Sequence, residues 1–341
     1  MLSRVADAVY WASRYVERAE NVARFVNVNL DLMLDSPSAQ KPSWEPLVMT
    51  TGDQEWFQEN YETANADTVT QFLTFDRKYP NSILSSVMAA RENARTVREI
   101  ISREMWQEVN SLYLTVLEAS KKPGRGEEMA VFYERVKVAG IYYAGVTDAT
   151  LSHREAWHFS RLGRMMERAD KTSRILDVKY FVLLPAQPAQ AAPAGSSQSQ
   201  SQSQSQSNGK QSQSQSNSSI DQVGWTALLN SASALQMYRQ QIHSISPLEV
   251  AGFLLLDASF PRSIRYCIHQ AQASLHAITG SPIGSYKTEA ERLMGTLRAS
   301  LDYANIDQIM EFGLHEYLDQ LQNTLNEISG AVHKRFFELA D

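Results

Sequence analysis

Two short strings of arginine and glutamate carry the clearest chemical signal in this 341-residue chain. Arg14, Glu17, Arg18, Asn21 and Arg24 are linked by three- and four-residue spacings such as Arg14 to Glu17 and Arg14 to Arg18, and Arg164, Glu167, Arg168 and Arg174 repeat the spacing 150 residues later. Guanidinium forks grip carboxylates and phosphates in two-point contacts, so a line of them suits an anion or the carboxylates of a peptide. A glutamate set among arginines could instead serve as an acid or base, and Glu17 and Glu167 are the candidates for that role. The plainest alternative is a purely structural ion-pair network that fixes helix register. On a helix, Arg14 and Glu17 form an i, i+3 pair of opposite charge, which in water contributes only a few tenths of a kcal/mol.

At 100° per residue, Tyr10, Arg14, Glu17, Arg18 and Asn21 fall within an arc of roughly 100°, away from a Val/Ala/Leu face. The second string places Arg164, Glu167, Arg168 and Lys171 on the equivalent arc. The charged members persist in both strings while their apolar neighbours drift, Val16 against Met166 and Val22 against Thr172. A freely solvated face has no physical reason to behave so. The expectation is that the stripes are partly buried, facing each other or lining a polar groove.

Other reactive side chains give weaker signals. Glu155 and His158 have Glu-x-x-His spacing, but a di-iron centre needs two such pairs and no second one occurs, so no metal is expected. Cys267 keeps helical spacing with Ile264, Ile268 and Ala271, which reads as a core position. No phosphate-binding glycine loop, dinucleotide turn, serine elbow or zinc-protease helix appears, and no cofactor is expected. Gly280-Ser281-Pro282-Ile283-Gly284 reads as a turn.

The elements that must position these residues are helices. Val5, Val9, Ala12, Val16, Ala19, Ala23, Val26, Leu30 and Met33 mark one long amphipathic helix over Val5 to Leu34. Similar periods run over Ile83 to Ile101, Met129 to Leu151, Glu155 to Val182, Ile264 to Ile278, Glu289 to Leu301 and Ile306 to Phe337. Few stretches alternate with period two, so the fold class is all-α.

The resemblance within the chain continues beyond the charged strings, with the displacement growing from 150 to 181 residues. Phe72, Leu73, Asp76, Tyr79, Pro80, Ser82 and Ile83 match Phe253, Leu254, Asp257, Phe260, Pro261, Ser263 and Ile264, and Trp44 matches Trp225. The added displacement is about the size of a Pro/Ala and Ser/Gln segment over 185–219, whose composition cannot offset its ordering entropy and reads as a disordered tether. These observations predict two degenerate copies, 1–150 and 151–341, each of four to five helices, packed as one bundle-like domain. Pro80 and Pro261 suit a helix start, with Asn81 or Ser82 and Ser263 as caps.

The string from Ala8 to Asn21, Ala-Val-Tyr-Trp-Ala-Ser-Arg-Tyr-Val-Glu-Arg-Ala-Glu-Asn, together with Glu167-Arg168, resembles the bacterial alpha-E domain family. The resemblance runs along nearly the whole chain except the Gln/Ser segment. It implies an all-helical fold with a Glu-Arg motif, here Glu17-Arg18 and Glu167-Arg168. It also implies partners: a circularly permuted ATP-grasp ligase-like protein and often a transglutaminase-like peptidase, in a system that makes or modifies peptides. On that footing a non-catalytic accessory component is expected.

The bulk numbers set outer limits. A net charge of −6 disfavours a dedicated nucleic-acid binder, because phosphate neutralisation needs a concentrated basic surface. Arg91, Arg95 and Arg98 lie among Glu92 and Glu99, which reads as an ion-paired surface. One cysteine excludes an internal disulfide, no apolar run approaches the roughly 20 residues needed to span a bilayer, and the charged start lacks an export core. The expected location is the cytoplasm, without membrane or nucleic acid as partner.

Overall fold

The computed structural model describes residues 1–35, 43–124, 126–183 and 222–338. The segment 185–219 read as a tether lies outside these residues. Among the described residues there is no strand. The chain begins with α1 (Ser3–Asp35), whose length matches the predicted Val5 to Leu34 helix. Three short helices follow, α2 (Glu45–Met49), α3 (Gln54–Asn60) and α4 (Ala66–Thr70), the last running into a π-helical turn over Gln71–Phe75. Then come α5 (Ile83–Thr96), α6 (Arg103–Lys121), α7 (Glu127–Thr150) and α8 (Glu155–Leu183). After a helix over 222–231, α9, the chain forms α10 (Leu235–Gln241), α11 (Pro247–Leu256) and α12 (Ile264–Thr279). It closes with α13 (Glu289–Asp302), α14 (Ile306–Phe312) and α15 (Leu314–Phe336).

The long helices pack in a regular order. α1 lies against α5 and α7, α5 against α6, and α6 against α7; α8 lies against α12 and α15, α12 against α13, and α13 against α15. α1 and α8 also pack on each other, so the two helices that carry the charged strings are the innermost of the molecule. One continuous apolar core joins both sides, from Val9 and Val26 on α1 to Leu162 and Leu176 on α8. Each central helix is therefore surrounded on more sides than a surface amphipathic helix would be, and its ionic flank is buried as well.

The repeated turns have the expected caps. The Ser82 hydroxyl accepts from Ser85 N–H and donates to Asp76 C=O, and Ser263 accepts from Tyr266 N–H and donates to Asp257 C=O. Pro80 and Pro261 stand in the turn ahead of the helix, not in its first turn, and Asn81 does not cap. Two helix boundaries differ from the apolar pattern. The helix predicted to reach Ile101 stops at Thr96, and α6, capped by Ser102, begins separately. The long helix predicted from Ile306 is split at Gly313, whose φ of +112° lies outside helical space and is accessible mainly to glycine. Arg91 and Arg95 pair with Glu92, while Arg91 and Arg98 also cover the Trp106 ring.

Candidate functional site

Close approach of α1 and α8 depends on a missing side chain. A Cβ added at Gly163 would lie 2.4 Å from the Tyr10 carbonyl oxygen and 3.2 Å from Arg14 Cγ. Real non-bonded atoms do not approach so closely, so a glycine is required where the helices cross. The crossing turns the two charged strings toward each other, and their partners are then exchanged between helices.

Glu17 on α1 receives Arg168 of α8 through Nε and Nη2, each at 2.8 Å, and Arg262 Nη1 at 3.2 Å. Asn21 donates to the Glu17 Oε1 at 3.0 Å and to its carbonyl at 2.9 Å. Glu167 on α8 receives Arg18 of α1 through Nε at 2.6 Å and Nη2 at 3.0 Å, and Arg14 Nε at 2.9 Å. Each carboxylate is thus held by arginines of the opposite helix, and the Arg14 to Glu17 pair expected within one helix is replaced by these crossed pairs. The crossed pairs bring two-point forks to both carboxylates, Arg168 on Glu17 and Arg18 on Glu167.

The remaining predicted residues extend the seam. Arg24 binds Glu20 through Nη2 at 2.6 Å and also reaches Ser233, while Arg174 binds Asp170 at 3.0 Å. Arg18 Nη1 donates to Asn81 Oδ1 at 2.6 Å, and Asn81 in turn donates to Asp53. Arg168 Nη1 donates to the Pro261 carbonyl at 3.2 Å. Arg262 joins Glu17, Glu20 and Asn21. Lys171 stands 3.1 Å from Asp170 and 3.9 Å from Glu167. Arg164 is the exception: its Nε is buried without a hydrogen-bond partner, and among the described residues its guanidinium makes no direct ion pair.

Glu17 and Glu167 are 2% and 0% exposed, so burial alone would push both carboxyls up. The arginines overcome it: Arg168 and Arg262 hold Glu17, and Arg18 and Arg14 hold Glu167, well below the usual carboxylate range. In return, Arg168 and Arg18 are raised by those glutamates against their own burial. Both carboxylates are permanently charged near neutral pH and have no proton to give. The cavity that reaches this seam, between Arg18, Lys171, Tyr79 and Asn81, holds about 20 Å³, room for a single water.

Charge is not balanced along the seam. The carboxylates of Glu17, Glu20, Glu167 and Asp170 face Arg14, Arg18, Arg24, Arg164, Arg168, Lys171, Arg174 and Arg262. Sequence reasoning missed Arg262 and Glu20. Arg262 occupies, between Pro261 and Ser263, the place that Asn81 holds between Pro80 and Ser82, and that change of residue type was the available signal.

The other reactive groups are placed outside the seam's chemistry. Among the described residues no three His, Cys, Asp or Glu side chains are gathered closely enough to hold a metal ion. Glu155 instead pairs with the Met1 ammonium, and His158 sits edge-on to Trp157. Cys267 is fully buried, and burial pushes its thiol up to about 12. Among the described residues no helix is long and apolar enough to cross a membrane.

Comparison with known proteins adds three findings. The Alpha-E family model, described as "a predicted alpha-helical domain with a conserved ER motif", matches residues 1–337. The chain is similar to an uncharacterized protein of Mycobacterium bovis and to uncharacterized proteins of two Mycobacterium tuberculosis strains, each 21% identical over 356 aligned positions. The alignments cover 99% of this chain but 36% of each relative, so the chain spans about a third of the length of the curated relatives it matches. No solved structure matches significantly.

Proposed function

From the premise that this chain belongs to the Alpha-E family, we propose that it is a helical, non-catalytic accessory component of a bacterial peptide-synthesis or peptide-modification system. Its partner in this reading is a circularly permuted ATP-grasp ligase-like protein, with a transglutaminase-like protein as a further associate, and it works in the cytoplasm. The observation that carries the reading is the double clamp on Glu17 and Glu167. These are the only acid or base candidates that the charged strings offered, and each is sealed from water and neutralised by arginines. An acid/base catalyst working near neutrality needs a carboxyl shifted up toward the working pH, and these are shifted down.

Two further observations support it. In the mycobacterial relatives the matched region makes up 36% of a longer chain, which is the arrangement expected of a module that works beside another one. The packing order α1, α5, α6, α7 is followed again by α8, α12, α13, α15, which supports two copies, 1–150 and 151–341, closed upon each other into a rigid frame. The test is ATP turnover by the purified chain, by the ligase-like protein, and by the mixture. Turnover or product that rises only in the mixture fits the accessory role, and turnover by this chain alone refutes it.

A further inference from the structure

Among the described residues, Arg164 is the one arginine of the charged strings that makes no direct ion pair, and Glu17 acts on it only from beyond hydrogen-bonding distance. Its place on α8 matches that of Arg14 on α1, and Arg14 donates from Nε to the Glu167 carboxylate at 2.9 Å. By the same exchange Arg164 would take Glu17. Glu17 is already taken, by both nitrogens of Arg168, by Arg262 and by Asn21. Arg262 stands where the other half has the neutral Asn81, and this added cation displaces Arg164 from its expected partner.

The neighbours of Arg164 on α8 are in the same condition. Arg161, one turn earlier, lies over the Trp157 ring at 5.0 Å and, among the described residues, makes no hydrogen bond or ion pair. The Nδ1 of His158, one turn earlier again, is buried without a partner. These positions follow at three-residue steps, so they form one ridge along the helix. Burial and the like charge of Arg168 lower Arg164 against the pull of Glu17, and burial and the like charge of Arg161 lower His158. Arg161 and Arg164 both remain partly exposed, although the Arg164 Nε itself is buried. Buried polar atoms without partners, here the Arg164 Nε and the His158 Nδ1, are costly, which makes an occupant the natural completion of this ridge.

We propose that Arg164 and Arg161 bind a carboxylate supplied from outside the chain, the acidic group of a peptide. Arg14 shows what fills this position when the chain supplies it, namely a glutamate carboxylate taken through Nε, and the ligand stands in for that glutamate at Arg164. This deepens the accessory reading and rests on it for the identification of the ligand with a peptide; the site itself rests on the unpaired ridge.

Isothermal titration calorimetry of the full chain with glutarate, sodium phosphate and sodium chloride at matched ionic strength tests the site. Glutarate is expected to bind at one per chain. Its affinity should fall about ten- to a hundredfold in Arg164→Gln, the loss of one or two charge-assisted hydrogen bonds. Without any ligand, Arg164→Met should unfold at the wild-type temperature or about 2 °C above it, because a largely buried charge with no direct partner is removed. A lower unfolding temperature for Arg164→Met, or glutarate binding unchanged by Arg164→Gln, overturns the proposal. Tighter binding of phosphate than of glutarate overturns the carboxylate assignment, and equal heats with chloride overturn the site. Co-purification with the ligase-like protein separates the two readings. Partner binding without glutarate binding refutes this site alone, and glutarate binding without partner binding refutes the accessory role alone.

Discussion

Arg168 holds Glu17 from the neighbouring helix by two parallel hydrogen bonds of 2.8 Å, and Arg18 returns the same grip on Glu167. Two carboxylates and their forks thereby lock α1 to α8 in one register. The energetic weight of such a lock lies in what its loss would strand. A buried, paired charge contributes little beyond an apolar replacement, but a buried charge whose partner is removed is strongly destabilising.

Glu17→Gln and Glu167→Gln are each expected to lower unfolding free energy by about 3–5 kcal/mol, since the first takes the carboxylate from Arg168 while Arg262 keeps only Glu20, and the second takes it from Arg14 and Arg18. Replacing Glu17 and Arg168 together by methionine should cost less than the two single changes added. Denaturant titration of the single and double variants checks both statements, and additive losses would show that the two residues do not act as a pair.

Acid should unfold the protein through these same residues. Both glutamates have folded pKa values depressed below the unfolded value of about 4.3. A depressed carboxyl contributes stability that is fully present above its unfolded pKa and is lost as pH falls toward its folded pKa. Stability is therefore expected to stay level between pH 7 and about pH 5 as far as these groups are concerned, and to fall steeply below about pH 4. Unfolding curves measured at each pH test this, and the slope below pH 4 should be shallower in Glu17→Gln.

Gly163→Ala should destabilise although alanine is the better helix former. The propensity gain is about 1 kcal/mol, whereas the new methyl would meet the Tyr10 carbonyl at 2.4 Å and force the crossing apart. A net loss of about 1–3 kcal/mol is expected from such overpacking. Thermal unfolding measures it, and an increase in stability would mean that the helices cross elsewhere.

Cys267 should be chemically silent in the folded protein. It is buried and its thiol is held up at about 12, so almost no thiolate exists at pH 8. Iodoacetamide is expected to label it only in denaturant, as read by intact mass. Rapid labelling of the native chain would place the residue at the surface.

What could be read along the chain was what depends on short spacing. The apolar period of Val5, Val9, Val16, Ala23 and Val26 specified α1 almost to its ends, because helix phase is a local property. Ser82 and Ser263 revealed the starts of α5 and α12 for the same reason, since a cap needs only the next three residues. The ionic strings were visible as Arg14, Glu17, Arg18 and their counterparts, and so was their departure from a solvated face. Local signals also failed where one residue overrode the period, as Gly313 does between α14 and α15.

Partner choice was decided only in three dimensions. Spacing alone pairs Arg14 with Glu17, and the folded chain pairs Arg14 with Glu167 because the α1 and α8 backbones meet at Gly163. The entry of Arg262 from a turn more than 200 residues beyond Glu17 could not be seen in either string, yet it fixes which cation is left over. Charge balance is a sum over everything brought within a few ångströms, and that set is defined by packing. The chain by itself therefore determined which residues are ionic and helical, and tertiary structure decided which of them are satisfied and that Arg164 is not.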